Sequence, residues 1–258
     1  MVEKPQTQPL EERPFVVPCT QLSLDAPWRW LRLGWQDFMR APRLSLIFGI
    51  VIMLVSIAVS ALAWSLGRFA LLAALLSGFV FVAPLIAVGL YCVSRELGAG
   101  RTPSLRQSFV LARRVAGQAG VFALAQLVIL LVWSRAGMML SAFFPFDAND
   151  NAMLFEYLAV GSAIGTVFAA LTFATAAVSL PMIADRDVDM ITACISSINA
   201  VLRNKPAMLL WAVLIAVLTA VGFATAFVGL VFIMPWLAYA TWYAYRETLQ
   251  PGDWPMLD

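Results

Sequence analysis

Apolar positions run without a charged residue through five windows: Leu44–Trp64, Phe69–Ser94, Val115–Ser134, Tyr157–Ala184 and Ala207–Tyr245. A hydrocarbon core ~30 Å thick is crossed by about 20 helical residues. Each of the first four windows therefore predicts one span. The fifth is about twice the length one span needs, which predicts two spans joined by a tight apolar turn near Gly222–Gly229. The expected spans are about 44–64, 69–94, 115–134, 157–184, 207–224 and 225–245. Five spans, one strongly tilted, is the alternative.

Between the windows the pattern changes to helical periodicity. Over 28–40, Trp28, Leu31, Trp35 and Phe38 share one face, and Arg29, Arg32, Gln36 and Arg40 another. Over 104–115, Leu105, Phe109 and Ala112 fall together, with Arg106, Arg113 and Arg114 elsewhere. Over 187–203, Val188, Ile191, Ile195, Ile198 and Leu202 align, and Asp187 is placed to cap the helix. Tryptophan settles at the headgroup level and arginine at phosphates or water. These stretches are therefore expected to be interfacial helices. Arg106, Arg113 and Arg114 are expected to contact lipid headgroups, while Trp28, Trp35, Phe38, Arg29, Arg32 and Arg40 would anchor the first helix or dock a partner. Each stretch precedes a pair of spans. The fold class that follows is all-α: a polytopic membrane helix bundle of six spans, built as three helical hairpins each preceded by a cytoplasmic interfacial helix.

The returning spans also resemble one another. "PLIAVGLYCVSRE" (84–96) and "PWLAYATWYAYRE" (235–247) share Pro, Ala, Arg and Glu at equal offsets, and "PMIADRD" from Pro181 is a shorter echo. Proline in a helix frees a carbonyl and bends the chain, so kinks are expected at Pro84, Pro181 and Pro235.

Composition supports the membrane reading. The chain has 258 residues, 62% hydrophobic and 12% charged, with mean hydropathy +0.84; a soluble domain carries about 25% charged residues. Residues 1–27 are polar and proline-bearing and read as a flexible cytoplasmic tail, 28–247 as the membrane domain, and 248–258 as a second cytoplasmic tail. Net charge is only +2, so no nucleic-acid partner is expected; the bilayer is the expected partner, with a membrane protein complex second, and the oligomeric state is left open. With six spans, every Lys and Arg except Arg68 and Arg135 falls on one side. By the positive-inside rule both termini are cytoplasmic. The opposite loop, "FPFDANDNAMLFE", carries Asp147, Asp150 and Glu156 instead.

The stretches "RWLRLGWQDFMRAPRLSLIFG" and "SRELGAGRTPSLRQSF" resemble a bacterial integral-membrane family catalogued only as a domain of unknown function, some of whose members are provisionally labelled cytochrome c oxidase subunits. The resemblance covers roughly residues 28–250. It rests on the Gly-Trp-x-Asp stretch, the Pro-x-x-Ser-Leu entry at Pro42–Leu46 and the Arg-Glu-Leu-x-x-Gly loop at 95–100. It implies a bacterial inner membrane and assigns no catalytic residue.

The side-chain inventory narrows the chemistry. There is no histidine, so haem and copper ligation of the oxidase kind, zinc-protease motifs and a Ser-His-Asp triad are excluded. No ionisable Asp, Glu, Lys or Arg lies inside an expected span, which argues against a proton relay. Cys19, Cys92 and Cys194 are dispersed and expected as free thiols. No cofactor or metal is expected. Gln126 is the most unusual polar residue in a span; an interhelical hydrogen bond is the plain reading and a substrate contact the sharper one. The leading functional expectation is a non-catalytic accessory or assembly protein of a membrane complex, with the respiratory oxidase suggested by the resemblance. The alternative is a transporter or channel for a neutral or amphipathic small molecule. A lipid-acting enzyme using Asp185, Asp187 and Asp189 comes third.

Overall fold

A computed structural model describes residues 14–66, 69–143 and 151–257. The first thirteen residues, Arg68, and the loop acids Asp147 and Asp150 lie outside the described residues. Within them are ten helices: α1 Ala26–Arg40, α2 Pro42–Leu66, α3 Phe69–Gly98, α4 Leu105–Arg114, α5 Ala116–Phe143, α6 Asn151–Ala176, α7 Ser179–Asp185, α8 Met190–Arg203, α9 Lys205–Ala224 and α10 Leu230–Thr248. Four stretches are long and apolar enough to cross a membrane: Pro42–Ala61, Ala116–Leu140, Met153–Asp185 and Lys205–Ala224. α3 and α10, which a six-span reading also needs, have 30 and 19 residues and end on Arg95-Glu96 and Arg246-Glu247.

The long fifth window is two helices. α9 stops at Ala224, and the chain turns through 225–229 with Ala226 and Phe227 at positive φ. Thr225 closes the turn by accepting a hydrogen bond from the Gly229 amide at 2.8 Å. α5 runs past the expected end at Ser134, through Arg135, to Phe143.

Each short helix passes into a long one across a single buried residue: Ala41, Val115 and Asn204. α1 lies along α10, α4 along α3, and α8 along α6 and α7. α3, α7 and α10 touch one another pairwise.

The expected apolar stripes of the short helices divide between buried and exposed positions. α1 buries Trp30, Leu31, Gly34, Asp37 and Phe38, while Trp28 and Trp35 are exposed. Phe38 thus parts company with the two tryptophans. α4 buries Ser108 and Leu111 and exposes Leu105 and Phe109. α8 buries Thr192, Ala193, Ser196, Ser197 and Ala200 and exposes Ile191 and Leu202. Its cap is Asp189, which accepts from the Thr192 amide at 2.9 Å; the expected cap, Asp187, instead gives its amide to Pro255 O. On α4 and α8 the reason is that, beside lipid, bulky apolar side chains gain little by turning inward, whereas small residues let backbones close up; α1 buries Gly34 together with Trp30, Leu31 and Phe38.

That closeness is visible at two glycines. A Cβ on Gly34 would lie 2.6 Å from the Ala240 amide nitrogen, and one on Gly49 2.0 Å from Val231 O. Pro235 lacks the N–H that would otherwise take that carbonyl, since Val231 is four residues upstream. α2 therefore approaches α10 where its backbone is unpaired, and a Gly49 Cα–H points at the free oxygen. The equivalent contact of α4 on α3 is a hydrogen bond, Ser108 Oγ to Gly89 O at 2.9 Å. On α8, Ser197 Oγ accepts from the Val178 amide at 3.2 Å.

Pro84 and Pro235 lie inside continuous helices. At Pro181 the interruption falls upstream, between Ala176 and Ser179, so the break precedes the proline. The expected register of "PMIADRD" with the other return helices shifts accordingly. Asp185 ends α7, and Glu96 and Glu247 lie in the last turns of α3 and α10.

Residues 14–25 and 249–257, expected as parts of loose tails, are packed under the bundle. Thr20 donates its amide to Thr248 O and Gln250 donates to Pro18 O. Val17 and Trp254 are buried against the cluster that holds Tyr91, Met182, Trp242 and Tyr245. Leu257 donates to Asp185 O, and Arg186 Nη1 donates to Trp254 O at 2.8 Å. The end of the bundle carrying these segments and the short helices is called the base below.

Gly49→Ala should lower stability by about 1–3 kcal/mol, as overpacking a close helix contact does, measured by thermal unfolding in mild detergent. Gly117→Ala, where an added Cβ meets nothing within 4 Å, should be neutral or slightly stabilising. Equal effects would mean that α2 and α10 do not touch at Gly49.

Candidate functional site

Above the base the helices border two adjoining apolar clefts, each partly open to the surroundings, which form the two lobes of one cavity. The first, ~530 Å³, lies between α2, α3, α9 and α10, with Ser56, Ser60 and Thr219 on its wall. The second, ~650 Å³, lies among α3, α5 and α6, with Gln126, Trp133, Gly165, Phe168 and Thr172 on its wall. Tyr91, Ile215 and Thr241 line both lobes. Among the described residues, no Asp, Glu, Lys or Arg lines either. Ser56 and Ser60, which could have packed helices, face this space instead.

The cavity stops at the base. The Tyr91 ring stacks on Trp242 at 6.5 Å, and Trp242 packs on Tyr245 at 5.6 Å. Tyr245 donates its hydroxyl to Asp185 Oδ2 at 2.7 Å, and Asp185 also meets Arg186 at 3.2 Å. Asp185 is thus a buried structural acid, and the structure does not bring Asp187 and Asp189 to it as a catalytic set; Asp189 is occupied as a cap.

Gln126 reaches across from α5 to α6. Its Nε2 donates to Thr175 Oγ1 at 3.0 Å, while its buried Oε1 has no hydrogen-bond partner. The sequence singled out this residue; its partner Thr175 had no signal beyond being one threonine among several. "GSAIG" packs α6 on α5 side chains: a Cβ on Gly161 would meet Leu140 Cδ2 at 3.3 Å, and one on Gly165 would lie 3.9 Å from Trp133 Nε1.

The expected anchoring residues divide. Trp30, not singled out by the sequence, is fully buried; it meets Trp211 edge-on at 5.5 Å and donates to Glu247 Oε2 at 2.8 Å. Arg29 pairs with the same Glu247 at 2.5 Å. Trp35 stacks on Phe38 at 5.3 Å yet stays exposed, and Arg32 and Arg40 are exposed. Arg106, Arg113 and Arg114 are exposed on α4, and Arg113 borders a groove of ~510 Å³ between α2, α3 and α4. Glu96 pairs with Arg101 of the following loop at 2.7 Å and accepts from Gln107 of α4 at 3.3 Å; Arg95 donates to Ala184 O at 3.3 Å, and Arg246 lies 3.8 Å from Asp185. The three cysteines are free thiols.

Asp37 is the buried charge of the first helix. It is wholly inaccessible, accepts from the Tyr243 hydroxyl at 2.9 Å, and lies 3.8 Å from Arg40. Burial raises its pKa above the ordinary 3.8; Ser94, the Tyr243 hydroxyl and Arg40 pull the other way.

Residues 71–185 match the model of a family described as predicted integral membrane protein (DUF2189). This supports the resemblance to an integral-membrane family and gives no support to the oxidase-subunit label. With its apolar helices, the protein is an integral membrane protein. No curated protein and no solved structure matches the chain.

An acid whose folded pKa is raised loses stability as pH climbs from its unfolded value through its folded one. Asp37→Asn keeps an acceptor for Tyr243 and removes the charge. Between pH 4 and neutrality, on the order of the carboxylate range, the native protein should lose stability relative to Asp37→Asn. Parallel melting profiles across that range would show that ionising Asp37 costs nothing.

Proposed function

We propose that the protein is a six-span bundle of three similar units that takes an uncharged apolar or amphipathic molecule from the bilayer into its central cavity, as a carrier or binding protein. The observation that carries this reading is the two-lobed cavity, lined by apolar side chains and hydroxyls and by no Asp, Glu, Lys or Arg. A site of this size and lining suits a small ligand of modest polarity. Absence of an ionisable centre removes the means for proton coupling, so movement would follow the ligand's own gradient.

The unit structure is supported by recurrence. Each short helix, single linking residue and long helix is followed by a return helix ending on an acid. Each short helix lies on the return helix of the preceding unit, with α1 on that of the last. Arg40, Arg114 and Arg203 each stand immediately before the linking residue. The Lys and Arg gathered at the base favour its lying at the cytoplasmic face of a bacterial inner membrane.

An accessory role in a membrane complex is the second reading. It is favoured by the stripe of Trp28, Trp35 and Met39, 55%, 42% and 60% exposed on the outer side of α1. Lipid headgroups would fill the same stripe, so its exposure alone does not select a protein partner.

Native mass spectrometry of protein released from its own membranes should find a bound small molecule. Ala169→Phe, which fills the second lobe, should reduce its occupancy at least about tenfold, a loss of roughly 1.4 kcal/mol, while the protein stays folded. A folded Ala169→Phe protein that retains the molecule would remove the cavity as its site. Topology is checked separately: a cysteine at Ala226 should react with an impermeant maleimide from outside intact spheroplasts, and protection there would invert the orientation.

A further inference from the structure

Of the three rings stacked below the cavity, Tyr91 is the one that also lines it, and it lines both lobes. Its ring packs on Trp242, and only 6% of the residue is exposed. Among the described residues its hydroxyl has no hydrogen-bond partner. Nor is that hydroxyl sealed in. The buried side-chain atoms left without a partner, among the described residues, belong to Asp37, Ser94, Gln126, Trp211 and Thr248. The Tyr91 oxygen is not one of them, so it keeps accessible surface, and Tyr91 is cavity wall on both sides.

The junction of the lobes offers little else that is polar. Ile215 and Thr241 are the other residues common to both walls. Thr241 donates its hydroxyl to Leu237 O at 2.8 Å, within its own helix. A tyrosine hydroxyl has one hydrogen to donate and lone pairs to accept with. The aromatic ring draws on those lone pairs, so the group is the better donor. A donor left unbonded among apolar walls costs free energy that a matching acceptor recovers. A water there would have Tyr91 and Thr241 as its side-chain partners on the shared wall, the fewest that hold a buried water.

We propose that the cavity's ligand is an uncharged molecule with a carbonyl oxygen between two apolar arms, and that Tyr91 is the residue that selects it. The phenol hydrogen goes to the carbonyl, and one arm enters each lobe. The inference rests on the cavity reading above and deepens it. A carbonyl can only accept, which matches a hydroxyl with a hydrogen to give. A carboxylate is disfavoured because, among the described residues, no Lys or Arg lines either lobe. A plain hydrocarbon fills the same space but leaves the hydroxyl unbonded. Sites built around one buried polar group reject an analogue lacking the matching group more strongly than one differing by a methylene.

The test uses heptadecan-9-one, a ketone with an eight-carbon arm on each side of an isotope-labelled carbonyl, and heptadecane, which lacks the carbonyl. Each is offered to the full-length protein in detergent, and native mass spectrometry counts the bound molecules. The ketone should bind at least about tenfold more tightly than the alkane, the ratio that 1.4 kcal/mol gives. In the infrared, the carbonyl stretch of the bound ketone should lie below its position in an alkane solvent, as a hydrogen bond requires. Tyr91→Phe keeps the ring on Trp242 and removes only the hydroxyl. Ketone binding should then fall to the alkane level, and the band should return to its solvent position, with thermal unfolding unchanged. A shifted band that persists in folded Tyr91→Phe would assign the donor elsewhere and overturn the proposal. If that variant does not fold, an unshifted band in the native protein overturns it alone. Equal binding of ketone and alkane would also overturn it and leave the cavity reading standing. Binding of neither would overturn both.

Discussion

The structure depends on how closely the short helices and their neighbours approach the return helices. An apolar side chain in lipid gains little by moving from lipid to protein, so packing is decided by backbone proximity and hydrogen bonding. Gly34 against Ala240 and Gly49 against Val231 are the places where this is most acute. The second also uses Pro235: the missing N–H leaves a carbonyl free where α2 has no side chain to keep it away. A proline, a glycine and a helix crossing are thus one feature. The same logic explains why α4 and α8 turn serines inward and leave Phe109 and Ile191 outside.

Once the short helices are seated, the base is held by polar groups. Glu247 takes Trp30 and Arg29, Glu96 takes Arg101, and Asp185 takes Tyr245 and Arg186. Each is an acid at the last turn of a return helix, bound by a neighbouring element. Buried and half-buried pairs of this sort are a poor source of stability but a good source of registry, since a wrong partner leaves a charge unpaired. The terminal segments add backbone bonds between 17–22, 185–187 and 248–257, so residues that look like tails complete the closure.

Much of the helix plan is legible in the sequence, because lipid allows only a chain that satisfies its own backbone and uncharged runs mark where it must do so. The break between α9 and α10 could be read from length alone. What could not be read was the inward face. Gly34, Ser108 and Ser197 lie off the apolar stripes at Trp28–Trp35, Leu105–Phe109 and Ile191–Leu202, and the helical period that marks the stripes does not mark the face that meets protein. The packed terminal segments were hidden for a related reason: Val17 and Trp254 sit among prolines and polar residues, with no period to reveal them. Gln126 stood out as an amide deep in a span, whereas its partner Thr175 lies forty-nine positions away.

The position of the cavity follows from these constraints. α3, α7 and α10 converge at the base, where Tyr91, Trp242 and Tyr245 stack beneath the cavity and Val17 and Trp254 lie buried beside them. The prolines lie farther along: Pro84 is seven residues from Tyr91, and Pro235 seven from Trp242. α3 and α10 are therefore tied at their charged ends, with a proline two turns away from the aromatic stack. The space between helices opens above that tie, where α2, α5 and α9 supply the wall.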